Sequence, residues 1–220
     1  QLLTTQTPTS SNYETVSIPF MLDTTSLELT DGQGSEAKAY WYQSPLAISS
    51  AGQFTVEFTY QAGGDAAADG VTFAFQKEGT NALGATGGSL GYVGITGPTA
   101  AYQINLYDGH QRGSNFVTTN TSETYLPTDL VDFNSGNPID VQLFFDTAQQ
   151  TVTETLTDPL QQTSFSRTYN GIDLATLMNE TAYIGFTGGD GGATSVQAVT
   201  DFKLYRGDQS DSPVISGFGG

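Results

Sequence analysis

The sequence predicts an all-β protein whose antiparallel sheets pack face to face or close into a barrel. Three observations lead there. Apolar residues recur with the two-residue period of a half-buried strand, turn-forming residues separate the runs, and helical periodicity is confined to one short stretch.

Along the chain, Phe54, Val56, Phe58 and Tyr60 alternate with Thr55, Glu57 and Thr59, giving a strand with one apolar and one largely polar face. Val71–Phe75 and Ala101–Tyr107 follow, rich in the β-branched and aromatic residues that suit a pleated surface. Ile139, Val141, Leu143 and Phe145 alternate with Asp140, Gln142 and Asp146. The stretch Asp146-Thr147-Ala148-Gln149 then reads as a hairpin turn into Thr151–Thr157. Ser164–Tyr169, Ala182–Phe186 and Val196–Tyr205 complete the strands. The single helical candidate is Ile172–Met178, bracketed by Gly171 and Asn179. Strands without intervening helices cannot make parallel βαβ units, and no 20–50-residue repeat suggests a propeller or solenoid.

With 220 residues, 37% of them hydrophobic and 13% charged, the chain is long enough for one sizeable core. The expected organisation is an N-terminal arm over 1–14, a sandwich over 15–206 and a Gly/Ser-rich tail over 207–220. Six basic against 23 acidic side chains leave a formal net charge of −17, which repels polyphosphates and argues against nucleic acid or anionic membrane as partners. No cysteine is present, so thiolate catalysis, disulfides and thiolate zinc sites are excluded, and His110 is the one imidazole. A Thr/Ser/Gln/Gly-rich, lysine-poor, acidic chain that begins at Gln1 and lacks an apolar span reads as the mature or excised portion of a secreted or cell-surface protein.

Three glycine clusters interrupt the strands: Gly63-Gly64, the run from Gly84 to Gly91, and Gly188-Gly189-Asp190-Gly191-Gly192. They serve as turns requiring positive φ, or as places where backbone amides approach a ligand. The residues alone leave both readings open.

Four blocks stand in an order that resembles the L-type (legume-like) lectins, with the nearer likeness to their bacterial branch. They are Ala68-Asp69-Gly70-Val71-Thr72-Phe73-Ala74-Phe75; Ala82-Leu83-Gly84-Ala85-Thr86-Gly87-Gly88-Ser89-Leu90-Gly91-Tyr92; Tyr102-Gln103-Ile104-Asn105-Leu106-Tyr107 running on to Gly113-Ser114-Asn115; and Thr181 to Gly192. The resemblance covers roughly residues 15–206 and implies a concanavalin A-like jelly-roll sandwich with a sugar bound in loops above a curved front sheet. It further implies that Asp69 accepts hydrogen bonds from sugar hydroxyls, that the Gly88 amide donates one and that Asn115 completes the set. Gly189 and Asp190 fall in the variable wall, and His110 lies in the loop that carries Asn115. A carboxylate with backbone and amide partners suits a polyol. The alternative for Asp69 and Asn115 is a turn residue bonding its own backbone. Tyr107, Tyr92 and Phe116 offer flat faces to a pyranose, or are core.

Legume lectins hold calcium and a transition metal largely through a glutamate and an aspartate on the third block. Here those positions are Gln103 and Asn105. Replacing two carboxylates by amides removes two negative charges from a site for a hard cation, so a standard two-metal site is not expected. A weak calcium site from Asn105, the Tyr107 carbonyl and Asp108 is the remaining cofactor expectation. Without it, Asn105 organises the loop by amide hydrogen bonds.

Catalysis is not expected. Retaining glycosidases need two carboxyl groups about 5–5.5 Å apart, and no acidic E-x-D-x-E cluster exists. Glu154 and Asp158 are four apart, but Pro159 is expected to leave Asp158 outside the strand, and Glu57 has Thr55 and Thr59 as same-face neighbours. A pair formed across strands stays open, so a glycoside hydrolase is the least favoured reading. A Ser-His-Asp triad would need His110 without a G-x-S-x-G turn. The expected function is a non-catalytic carbohydrate-binding domain, of adhesin type, that recognises a saccharide or glycoconjugate. The alternative is a structural subunit of an extracellular fibre or matrix, self-assembling through its terminal arms. Sequons at Asn120 and Asn179 fit exposed loops of an exported glycoprotein.

Overall fold

The computed structural model describes residues 13–18 (backbone only), 26–50, 52–63, 67–207 and 213–218. Along the chain run β1 (Tyr13–Ile18), β2 (Ser26–Asp31), β3 (Glu36–Tyr42), β4 (Leu46–Ala47), β5 (Gln53–Gly63), β6 (Gly70–Gln76) and β7 (Thr99–Asn105). Then come β8 (Gly113–Val117), β9 (Ile139–Asp146), β10 (Thr151–Asp158), β11 (Thr163–Asn170), the helical turn α1 (Leu174–Leu177), β12 (Thr181–Asp190), β13 (Val196–Arg206) and β14 (Ile215–Ser216). A front sheet has the order β1-β3-β12-β6-β7-β8, with β4 also on β12. A back sheet has the order β11-β10-β9-β5-β13-β14, with β2 also on β13. The sheets pack face to face, one of the two architectures that the alternation allows, and neighbours so distant in sequence are what a jelly roll requires. One pair departs from the antiparallel rule: β1 runs parallel to β3 at the front sheet's edge.

The main core lies between the sheets. Phe54, Val56, Phe58 and Tyr60 of β5 and Ile139, Val141, Leu143 and Phe145 of β9 face Val71, Phe73 and Phe75 of β6 and Phe186 of β12. Phe54 stacks on Phe145 with centroids 4.4 Å apart, and Phe58 meets Phe186 edge-on at 5.1 Å. A second, smaller core sits on the opposite face of the front sheet. There Ala39, Ala74 and Ala101 are small enough for the 82–95 loop to settle on the strands with Ala82, Tyr92 and Ile95, and Trp41 Nε1 donates to the Ala82 carbonyl at 2.8 Å. That second layer is why β6 and β7 are buried at every position instead of alternating.

The strand β10 runs through Asp158, a correction to the boundary expected at Pro159. The Asp158 carboxylate accepts from the Leu160 and Gln161 amides and from Asn137 Nδ2, each at 2.9 Å, so it terminates the strand from within. Glu154 and Asp158 therefore share one face, the buried one. Glu154 is fully enclosed, accepts from Ser114 Oγ at 2.8 and 3.0 Å and lies 3.6 Å from Arg167. These contacts tie the back sheet to β8, and neither carboxylate faces a cleft. Glycine- and serine-rich composition predicts a tail from 207, yet residues 213–218 are packed: β14 pairs with β13, and Phe218 is buried against Phe186 and Phe202. One aromatic outweighs the composition, because its burial contributes about 1.5–3 kcal/mol. Residues 1–12 of the expected arm, residues 208–212 and 219–220 of the expected tail, and Gly64 lie outside the described residues. Among the described residues no helix is long and apolar enough to cross a membrane.

Candidate carbohydrate-binding site

Register places Gly189 (β12), Gly70 (β6), Asn105 (β7) and Gly113 (β8) in one row at an end of the front sheet. Asp69 immediately precedes that row. Its N–H donates to the Gly189 carbonyl at 3.3 Å and its carbonyl accepts from Leu106 at 2.8 Å, so the backbone is held between two neighbouring strands. The side chain turns toward the glycine loop. A β-carbon built at Gly88 would lie 3.9 Å from Asp69 Oδ1, one at Gly87 3.8 Å from Oδ2, and one at Gly191 3.5 Å from Oδ2. The Gly191 N–H also bears on this carboxylate and lowers its pKa. Asp69 and Gly88 thus come together as the sequence resemblance implies.

The glycine run approaches this closely because β12 carries no side chain beneath it. A β-carbon at Gly189 would stand 3.1 Å from both the Gly87 oxygen and the Gly91 nitrogen. Gly188 and Gly189 are strand residues, so close packing, and not a turn, is what requires glycine there. The strand also carries Asp190 inward: it is fully buried, its Oδ1 accepts from the Glu36 N–H at 3.3 Å, and its Oδ2 has no partner. Asp190, expected in the variable wall, is therefore enclosed beneath the loop, while Gly191 lies against Asp69.

Asn115 occupies β8, where its amide is engaged locally: Nδ2 donates to the Thr124 carbonyl at 2.6 Å and Oδ1 accepts from the Phe116 amide at 2.9 Å. This is the backbone-bonding alternative for that residue. The group that reaches Gly88 is Glu123, whose Oε1 lies 3.7 Å from the same β-carbon position and 3.9 Å from His110 Nε2. Glu123 has φ +79°, and nothing in its local sequence marks it. His110 faces Tyr107 with ring centroids 5.9 Å apart, and Tyr107 is 36% exposed, whereas Tyr92 and Phe116 are core.

Burial dominates the electrostatics. Desolvation raises the Asp69 carboxyl to about 6, against the Gly191 hydrogen bond and the nearby His110, which lower it. Asp190 is raised further, to about 7, by desolvation and then by the Glu36 charge. Glu36 itself is raised by burial, partly offset by the Asp31 amide and by Lys38, whose Nζ lies 3.3 Å from Glu36 Oε1.

The residues suggested for calcium do not form a cage. Asn105 Nδ2 donates to the Tyr107 carbonyl at 2.8 Å and to the Gln111 carbonyl at 3.0 Å, while Asp108 lies 3.5 Å from Arg112. Gln103 Nε2 donates to the Thr121 carbonyl at 2.8 Å. The N–H groups face the oxygens that would otherwise coordinate an ion, so this donor set does not fit one. Among the described residues no group of three or more His, Cys, Asp or Glu side chains is placed to hold a metal.

A jelly-roll sandwich of this strand order has the fold of the legume L-type lectins. The solved structures similar to this chain agree. Arcelin-5, a lectin-like defense protein from Phaseolus vulgaris, is 18% identical, with a TM-score of 0.70 over 85% of this chain and 89% of that one. Lectin II from Ulex europaeus is 18% identical, with a TM-score of 0.69 over 82% and 86%. The Bauhinia forficata lectin in complex with GalNAc is 17% identical, with a TM-score of 0.67 over 83% and 87%. No model of a protein family matches the chain. At these identities the comparison establishes the fold, and the likeness to the bacterial branch rests on the sequence blocks.

Proposed function

We propose that this chain is a non-catalytic carbohydrate-binding domain of an exported or cell-surface protein, of adhesin type, and that its sugar sits over Gly88 against the Asp69 carboxylate. The observation that supports this reading best is the Asp69 side chain, turned to the backbone of Gly87, Gly88 and Gly191. A carboxylate in that position accepts from two hydroxyls at once, while loop amides orient the ring. His110 and Tyr107 border the site, and the sugar complexes known for proteins of this fold are consistent with it. The loop carrying His110 is held by the Asn105 amide, so this reading needs no calcium. One site should bind weakly, because exposed hydrogen bonds exchange water for sugar at small net gain. The fibre alternative draws less support, since residues 213–218 are engaged in the protein's own back sheet and core.

Glycan-array binding of the wild type and Asp69→Ala tests the site. The variant should lose all sugar binding and keep its far-UV circular dichroism. Unchanged binding by Asp69→Ala would remove the assignment.

A further inference from the structure

We propose that the site selects a glycan bearing a free primary amine, an amino sugar whose ammonium is held between Asp69 and Glu123. This rests on the sugar-binding reading above and adds the chemical class of the ligand.

The two carboxylates converge on one point. Asp69 Oδ1 and Glu123 Oε1 lie 3.9 and 3.7 Å from the β-carbon position of Gly88, on the backbone over which the sugar is placed. Glycine leaves that point free of side chain. A second observation lies near these carboxylates: Tyr125 is 6% exposed, and its hydroxyl is buried with no partner at hydrogen-bonding geometry. The Glu123 backbone and the Ser122 hydroxyl approach it without a well-directed bond, and both the Asp69 and the Glu123 charges act on it. A buried hydroxyl without a partner is rare in a protein at rest, and a ligand with hydrogen-bonding groups supplies what it lacks.

Donor counting separates the ligand classes. Two carboxylates present acceptors to more than one donor, an ammonium has three donors, and a sugar hydroxyl has one. An acetamide has one N–H and brings a carbonyl oxygen toward two carboxylates, and an acidic sugar adds a third negative charge. Positive charge is scarce here: Arg112 is turned to Asp108, and His110 is the one basic side chain that bears on Asp69. Each ammonium–carboxylate contact is a charge-assisted hydrogen bond, roughly twice as strong as a neutral one.

The test compares oligosaccharides that differ only at C2, where they carry an amine, an acetamide or a hydroxyl, in both gluco and galacto series. Each is presented with a single amine per chain, at pH 7 and at low and high salt. A protein of net charge −17 attracts any polycation, so singly charged glycans and single-charge variants are needed to isolate the site. The amine form should bind about tenfold more tightly than the hydroxyl form at low salt, with the preference shrinking at high salt. Glu123→Gln should bring the amine-to-hydroxyl ratio close to one, and Asp69→Asn should abolish binding of every form. Equal binding of the three forms, lost in Asp69→Asn, would overturn the amine preference and leave the sugar site standing. An amine preference that survives Glu123→Gln would overturn it as well. No binding by any glycan of either series would remove both readings.

Discussion

The side-chain amide of Asn105 donates to the Tyr107 carbonyl at 2.8 Å, and the same nitrogen reaches the Gln111 carbonyl at 3.0 Å. One neutral side chain thereby gathers the loop that carries His110. Asn105→Asp replaces the donor by a carboxylate facing two carbonyl oxygens, and should destabilise the protein by about 1–3 kcal/mol while weakening glycan binding. Wild-type protein should unfold at one midpoint in chelator and in calcium chloride, because its loop is closed by N–H groups. A calcium-dependent rise in the wild-type midpoint, read by calorimetry, would count against this account.

Acidification should move stability and binding in opposite directions. Asp69, raised to about 6, and Asp190, raised to about 7, ionise less readily in the folded chain than in the unfolded one. Between their unfolded and folded values the native state binds more protons, so their contribution to stability rises as pH falls from about 8 to 5. Glu36 and Glu154, also raised, act in the same sense, whereas Asp146 and Asp158 are lowered and contribute stability that is lost only at more acid pH. Over the same interval Asp69 gains a proton and loses half its acceptor role, so glycan affinity should drop through pH 6. Thermal midpoints and binding isotherms taken from pH 8 to 5 check both trends, and the rise in thermal midpoint should shrink in Asp69→Asn.

Gly189→Ala should displace the binding loop without touching a ligand group. The new methyl would stand 3.1 Å from the Gly87 oxygen and the Gly91 nitrogen, both backbone atoms that cannot rotate away. The expected cost is about 1–3 kcal/mol in urea unfolding, with at least tenfold weaker glycan binding. Full binding in this variant would mean that the loop's seat on β12 does not matter.

The two sequons should behave differently. Asn120 is engaged on both sides of its amide, with Oδ1 accepting from Gly94 at 2.6 Å and Nδ2 donating to the Ile95 carbonyl at 3.0 Å, whereas Asn179 is exposed just beyond α1. Folded protein secreted from a glycosylating host should carry one glycan, at Asn179, by intact and peptide mass. Asn120→Gln should cost about 1–2 kcal/mol and Asn179→Gln much less.

Several elements were legible because local pattern and tertiary role coincide. Thr151–Thr157 and Ser164–Tyr169 read as strands from their β-branched and aromatic residues, and they are β10 and β11. The strand β3 was not legible. Its Glu-Ala-Lys-Ala opening looks soluble, and the pairing of Lys38 with Glu36 and Glu28 lets it lie inside the front sheet. A short polar strand such as β8 hides for a similar reason, since Ser114 is satisfied by Glu154 from the other sheet.

Alternating apolar residues and their turns determined an antiparallel all-β architecture, and Asp69 beside Gly70 could be singled out from the order of the lectin-like blocks. Which groups meet there was decided by strand order: β12, β6, β7 and β8 lie side by side, so residues 69, 88, 110, 123 and 191 become neighbours. The same packing buries Asp190 and engages the Asn115 amide elsewhere. Hydrogen-bond partners and desolvation are properties of space, and a one-dimensional pattern does not contain the distances that set them.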